Sequence, residues 1–231
     1  MNNKLKKWLK TLPGLPLFIK TIRRFFFKSQ KYWEIRYATG GTSGAGSYGR
    51  LAEHKAEVIN SFIARNQIHS VLELGCGDGN QLSLGDYQSY IGLDVSVNAI
   101  NICRKRFAGD KSKTFLPYNC NGNFQIKHSE IKVELALSLD VIFHLVEDRI
   151  FYSYMKDLFS VSHRFVIIYS SNFDAQTARH VRHRNFTKWI NNNFIEWKLI
   201  ERIPNRYPLK NDPENESFAD FYIFAKKIKT G

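Results

Sequence analysis

Between residues 71 and 80 the chain reads Val71-Leu72-Glu73-Leu74-Gly75-Cys76-Gly77-Asp78-Gly79-Asn80. An apolar run that carries an acid and passes straight into three alternate glycines restricts the fold more than any other stretch. Glycine accepts the positive φ of a sharp turn and, lacking Cβ, lets a ligand come close to the backbone. The pattern predicts a strand, a turn and a following helical segment. A second apolar run, Tyr90-Ile91-Gly92-Leu93-Asp94, ends in an acid 19 positions after Gly75. A spacing of about 20 residues sets such a carboxylate at the tip of the next parallel strand, within reach of ribose hydroxyls.

Five apolar-led strand candidates (70–74, 90–94, 113–118, 133–139 and 164–170) alternate with helical or loop stretches, and the clearest helices cover 48–66, 95–107 and 148–161. Such alternation predicts an α/β fold with parallel strands joined by right-handed crossovers. The end of the chain breaks the rhythm. A helix near 187–193 precedes two strand-like runs, 196–203 and 218–227, with only a polar loop between them. They are expected to pair antiparallel at one edge of the sheet. Residues 1–28 read as two short helices broken at Pro13-Gly14-Leu15-Pro16, with apolar residues at helical spacing in each half.

A dinucleotide fingerprint requires Gly-x-Gly-x-x-Gly, but Asn80 stands at the third glycine position, and Gly79 precedes it. Glu73 would also repel a pyrophosphate in the turn. S-adenosylmethionine (SAM) carries no phosphate, and its sulfonium and ammonium groups tolerate neighbouring carboxylates. On these residues the chain resembles the class I SAM-dependent methyltransferases. The block 73–79 is similar to their first motif, Asp94 to the second, and Leu137-Ser138-Leu139-Asp140 through Asp148 to the segment that closes the fourth strand. The resemblance runs over roughly 48–227 and implies a Rossmann-like methyltransferase fold with SAM as cofactor. It places Gly75, Gly77 and Gly79 at the methionine end, with Glu73 opening the same motif. It sets Asp94 on the ribose and Asn119, after the third strand, on the adenine.

Upstream, Tyr32-Trp33-Glu34-Ile35-Arg36-Tyr37, the loop 39–47 with its four glycines, and Ser47-Tyr48-Gly49-Arg50-Leu51 are similar to a bacterial subgroup associated with surface-polysaccharide biosynthesis. The loop admits two readings. It is a lid over the cofactor that brings Tyr48 and Arg50 to the methionine carboxylate, or it is a flexible linker. The resulting division is a basic extension with a Gly-rich lid or linker (1–47) and a methyltransferase domain (48–231).

Methyl transfer from a sulfonium is an in-line displacement, so alignment of the acceptor carries much of the rate, and an alcohol must also lose a proton. His144 and Asp140, just past the fourth strand, are the catalytic candidates, with His144 as general base. The competing reading makes His144 a packing residue and Asp140 an orienting one. The run Arg179-His180-Val181-Arg182-His183-Arg184 follows the fifth strand. His180, Arg182, His183 and Arg184 are candidates to clamp an anionic group of the acceptor, against the alternative of a solvated basic loop. Carboxylate and histidine spacing at 140, 144 and 148 is too generic to predict a metal.

The formal net charge of +13 is unevenly placed. Residues 1–28 hold eight Lys or Arg and no acid, which leaves 26 basic against 21 acidic side chains in the other 203 residues. With Trp8, Phe18 and Phe25-Phe26-Phe27, this segment suits a helix lying on an anionic membrane surface, with packing on the protein itself or an RNA arm as alternatives. Three scattered cysteines, no apolar run of membrane-spanning length and no signal peptide imply a cytoplasmic protein, peripheral at the inner membrane face if the segment binds lipid. The fourth-strand segment lacks the Pro-Pro-aromatic and Pro-Cys signatures of DNA methyltransferases. The leading expectation is O-methylation of a small-molecule, glycan-linked or lipid-linked hydroxyl. Methylation of RNA or protein, or a non-catalytic SAM-binding scaffold, are the alternatives.

Overall fold

The computed structural model describes residues 28–119 and 131–227. Residues 1–27, which carry most of the basic aromatic segment and its two expected helices, lie outside them. In chain order the elements are α1 (Ser29–Ala38), α2 (Gly49–Asn66), β1 (Ser70–Leu74), β2 (Ser89–Asp94), α3 (Val97–Arg106), β3 (Lys113–Pro117) and β4 (Val133–Leu139). There follow α4 (Asp148–Val161), β5 (Ser162–Ser170), β6 (Ala175–Ala178), β7 (Val181–His183), α5 (Phe186–Asn193), β8 (Trp197–Ile203) and β9 (Asp220–Lys226).

Seven strands form one sheet in the order β3-β2-β1-β4-β5-β9-β8. The first five are mutually parallel, and β9 pairs antiparallel with both β5 and β8. The mostly parallel sheet with an antiparallel C-terminal edge is therefore as the alternation implied. Side chains of a strand alternate between faces. Leu72, Leu74, Ala136, Val166 and Ile168 accordingly pack on one face with α4 and α5, and Val71, Leu135, Leu137 and Ile167 on the other with α2 and α3. In α4 the buried residues Phe151, Tyr154, Met155, Leu158 and Phe159 follow the helical period and form one apolar stripe. Each such side chain contributes about 1.5–3 kcal/mol on burial.

The structure departs from the sequence pattern at one expected helix and adds one hairpin. The segment after the glycine turn is only a 3-10 turn, Leu82–Leu84, because Gly85 follows before an α-helix has room to form. The basic run lies in a hairpin of β6 and β7, a separate two-stranded sheet. One contact matters for the site. The Tyr154 hydroxyl donates to the Leu74 carbonyl at 2.7 Å and lies 2.8 Å from Ser138 Oγ, which ties α4 to the tips of β1 and β4.

Candidate active site

The tips of β1, β2 and β4 meet at the glycine turn. Gly75 has φ +91°, and a Cβ there would come within 2.4 Å of Val141 Cγ2. Gly77 has φ +57°, and its Cβ would come within 2.2 Å of Ser43 Oγ. Both positions combine a left-handed backbone with absent space, so only glycine fits. Gly79 faces elsewhere: a Cβ on it would press on Phe107 and Cys103 of the α3 region. Contrary to the expectation, it serves the packing of turn on helix and not the ligand side. Asp94 completes the turn, accepting from Gly77 N–H at 3.0 Å on Oδ2 and from Ser96 N–H at 2.8 Å on Oδ1. Ser96 Oγ in turn caps α3 by accepting from Ala99 N–H.

Above this turn lies a cavity at the carboxyl ends of the parallel strands. Its wall includes Glu73, Gly75, Gly77, Asp94, Asp140 and His144, which brings both catalytic candidates and half of the expected cofactor residues into one place. It also takes Trp33 and Tyr37 from α1, Ser43 and Ser47 from the Gly-rich loop, Lys55 from α2, and Tyr118 and Tyr154.

The loop 39–47 is fastened over the turn. Ser43 N–H donates to Asp78 Oδ2 at 2.9 Å, Asp78 N–H to Ser43 Oγ at 3.0 Å, and the Tyr48 hydroxyl to Asp78 Oδ2 at 2.8 Å. Burial opposes ionisation of Asp78, but these donors and Asn80 N–H hold its carboxyl below the usual range. Because α1 and the loop build the cavity wall, a boundary at 47/48 does not separate two structural units.

Three expected cofactor contacts are corrected. Tyr48 spends its hydroxyl on Asp78 and does not line the cavity. Arg50 turns outward, where its Nε donates to the Asn215 carbonyl at 2.7 Å and its guanidinium stacks on the Tyr207 ring. Asn119 is exposed, and it is the neighbouring Tyr118 that reaches the wall, its hydroxyl donating to Asp157 at 2.6 Å.

The wall is rich in carboxylates. Burial raises the Glu73 pKa to about 7, against the opposing effects of the Tyr90 hydroxyl at 2.6 Å and the Lys55 charge. Burial likewise raises Asp94 to about 6, although two backbone N–H groups favour its anion. Asp140 sits at φ +59°, unusual for a residue with a Cβ. Its Oδ2 is 2.7 Å from Lys55 Nζ.

His144 donates from Nδ1 to the His180 carbonyl at 3.0 Å, which leaves Nε2 as the ring's acceptor. Burial lowers its pKa to about 4, so the imidazole is neutral across the physiological range. Trp33 meets it edge to face, and the His180 ring stacks between His144 and Tyr32.

The anion clamp expected of the basic run is not assembled. Arg182 donates to the Val146 carbonyl and pairs with Asp148 at 3.0 Å. Arg184 donates to the carbonyls of Leu145 and Val146 and to Asp148. Both guanidinium groups thus brace the loop after β4. His183 is buried, with Nδ1 against Ser171 Oγ and Nε2 against Thr177 Oγ1. Of the four, only His180 touches the site, through its carbonyl and ring. Among the described residues, no group of three His, Cys, Asp or Glu side chains is arranged to hold a metal ion.

The sequence reading missed Lys55, although a signal was present. In α2 the buried positions Ala52, Lys55, Ala56, Ile59, Phe62 and Ile63 share one helical face, and a lysine within such a stripe is anomalous.

No protein family and no curated protein matches the sequence. Solved structures do. The methyltransferase domain of the bacterial CtHen1-C is 18% identical over 78% of this chain and all of its own, with a TM-score of 0.61. Magnesium protoporphyrin IX methyltransferase (ChlM) from Synechocystis PCC 6803, with bound S-adenosylhomocysteine (SAH), is 14% identical over 90% of this chain and all of its own, at 0.59. The N-methyltransferase NodS from Bradyrhizobium japonicum WM9, in complex with SAH, is 13% identical over 76% and 87% of the two chains, at 0.61. The fold is that of the class I SAM-dependent methyltransferases. As in that fold, the cavity here opens at the carboxyl ends of the parallel strands, where open α/β sheets bind ligands.

Proposed function

We propose that the protein is a SAM-dependent methyltransferase that methylates a hydroxyl of a small-molecule, glycan-linked or lipid-linked acceptor. The observation that carries this reading is a cavity whose wall holds the glycine turn and Asp94 together with His144 and Asp140. The wall fits the cofactor's chemistry: Gly75 and Gly77 leave backbone open to close approach, and each Asp94 oxygen keeps a lone pair for a ribose hydroxyl. Glu73 and Asp140 suit the cofactor's cationic groups. SAM, when bound, supplies a methyl group already activated by its sulfonium. The chain's part is to align the acceptor and receive its proton, for which His144 Nε2 is the available base.

Calorimetry on the purified protein tests the cofactor: SAM and SAH should bind, and NAD should not. NAD binding without SAM binding would refute the reading. Incubation with methyl-labelled SAM and fractionated cell extract tests the acceptor. Label is expected in lipid or polysaccharide fractions; label confined to RNA would favour the nucleic-acid alternative, to which the similarity with a small RNA methyltransferase, HEN1, lends weight.

The lipid-linked form of the acceptor draws support from the position of Ser29 and Gln30. Ser29 and Gln30 line the cavity directly after the basic, aromatic segment 1–28. That segment, in this reading, rests on anionic lipid at the cytoplasmic face and presents the cavity to it. Among the described residues no helix is long and apolar enough to cross a membrane. Sedimentation with anionic vesicles should fade at high salt and vanish on deletion of residues 1–28, while SAM affinity is retained. Equal sedimentation of the deletion variant would remove the membrane role.

A further inference from the structure

Helix α1 runs along the cavity from the loop after β4 to the glycine turn. Its first residue is held to that loop, where Ser29 N–H and Oγ both donate to the Glu147 carboxylate. Toward its other end the Tyr37 hydroxyl lies 2.9 Å from Ser43 Oγ and closes on Gly77. The helical rise from Ser29 to Tyr37 is about 12 Å. Spacings of three and four set Gln30, Trp33 and Tyr37 on one face, and all three line the cavity. Tyr37 thus stands at the glycine turn, and Gln30 and Trp33 stand toward His144, which Trp33 meets edge to face at 4.9 Å between ring centroids.

Among the described residues, neither the Gln30 carboxamide nor the Trp33 indole N–H makes a hydrogen bond. With His144 Nε2 they offer an amide acceptor, two amide donors, an indole donor and an imidazole acceptor. No charge accompanies them. Lys55 is the sole Lys or Arg on the wall among the described residues, and it is bonded to Asp140. Arg36 lies off the wall, its Nε donating to the Thr42 carbonyl and its guanidinium against the Trp33 ring. Arg182 and Arg184 hold the loop after β4. A phosphate or carboxylate entering here would meet Glu73, Asp94 and Asp140 with no side-chain cation left to pair it, which opposes its burial. Nor do the rings form a slot for a flat aromatic acceptor. Trp33 and His144 cross at 77°, and the faces of His144, His180 and Tyr32 are already stacked on one another.

We propose that the reacting unit of the acceptor is an uncharged sugar ring, and that Gln30 and Trp33 are its specificity-determining residues. Each sugar hydroxyl both donates and accepts. Neighbouring hydroxyls on a saturated ring therefore satisfy both ends of the Gln30 amide and the Trp33 N–H, while the reacting hydroxyl faces His144 Nε2. A charged linkage to a carrier, where the acceptor has one, stays outside the cavity. In the transfer the S–CH3 bond breaks with its electron pair left on sulfur, an O–CH3 bond forms, and the hydroxyl proton passes to His144 Nε2 and on to solvent. The inference rests on the proposed methyltransferase reading and names the acceptor class of that site.

The test uses the full chain saturated with SAH and reads ligand binding by saturation-transfer difference NMR. The probes are the methyl pyranosides of glucose, galactose, mannose and N-acetylglucosamine, the 6-phosphates of the same sugars, glucosamine, and catechol. At least one neutral glycoside is expected to bind, about 10-fold or more tighter than its 6-phosphate. Gln30→Leu and Trp33→Phe should each weaken that glycoside about 3–10-fold, the scale of one neutral hydrogen bond, with SAH affinity in calorimetry unchanged. If one variant loses SAH, the other gives the reading. Absence of binding by every neutral glycoside overturns the inference, as does preferential binding of a 6-phosphate, glucosamine or catechol. Undiminished glycoside binding in either variant that retains SAH overturns it too. Loss of SAH binding in both variants also overturns it, because α1 then supports the cofactor site and not the acceptor. A wild type that binds neither SAM nor SAH refutes the cofactor reading itself, a result distinct from all of these.

Discussion

The turn after β1 and the hairpin after β5 occupy comparable places, each carrying polar residues past the carboxyl end of a parallel strand. In the turn, Gly75 and Gly77 adopt positive φ and leave no room for a Cβ, so the backbone itself forms the cavity floor. In the hairpin, Arg182 and Arg184 donate to the carbonyls of Leu145 and Val146 and to Asp148, so their charge is consumed within the fold. Glycine's effect is exerted where it stands in the chain. An arginine's effect depends on which acceptors the fold brings to it, and here the loop after β4 supplies them. A ligand-binding turn and a structural brace thus arise from segments that a reading of the sequence treats alike.

The comparison is tested most severely at Gly77. Gly77→Arg should abolish SAM binding in calorimetry, because the side chain would enter the space held by Ser43 and require a left-handed backbone. Retained affinity would mean that the turn is not the cofactor site.

Next in size is His144→Ala, expected to lower turnover about 10²–10⁴-fold with SAM affinity unchanged. Because burial sets the His144 pKa at about 4, the imidazole is already the free base at neutral pH. Base-dependent turnover should therefore persist from pH 8 down to pH 5.5 and be lost only as the pH falls toward 4. A limb centred near pH 6.5 would point to a different base.

Asp94→Ala should weaken SAM by about 1.5–3 kcal/mol, roughly 10–150-fold, the scale of a hydrogen bond to a charged group. The same substitution removes the acceptor for Gly77 N–H and Ser96 N–H, so a thermal melt should accompany the titration.

The smallest effect on function is expected in the hairpin. Arg184→Ala should cost about 1–3 kcal/mol of stability, since it leaves the Leu145 carbonyl without its donor and the Val146 carbonyl with Arg182 alone. For a chain of this length that is a fall in Tm on the order of 2–10 °C. The acceptor KM should stay near the wild-type value once the acceptor is known. A raised KM with unchanged Tm would restore Arg184 to the acceptor site and erase the contrast between the two segments.

Much of the fold was legible because its signals are local and repeat. The apolar runs of β1, β4 and α4 lie where the periodicity puts them, and the unbroken pair of strands at the end forms the antiparallel edge. The helix expected after Gly79 failed because Gly85 ends the segment too soon, a local fact outweighed by the pattern of the motif. Within the site, Glu73, Gly75, Gly77, Asp94, Asp140 and His144 all reach the cavity. Tyr48, Arg50 and Asn119 do not, because proximity in sequence to a site residue does not set the direction of a side chain.

The sequence alone determined what depends on chain geometry: a parallel α/β sheet, a glycine turn at its centre, and acids at the tips of β1 and β2. Strand period, helix period and the freedom of glycine are properties of a few consecutive residues. The tertiary structure alone decided which charges remain for a ligand. Lys55 meets Asp140 across 85 positions of chain, His144 meets the His180 carbonyl across 36, and Arg184 meets the Leu145 carbonyl across 39. Whether a buried charge is paired, braced or left facing a cavity follows from those distant partners, since desolvation makes an unpartnered charge too costly to keep.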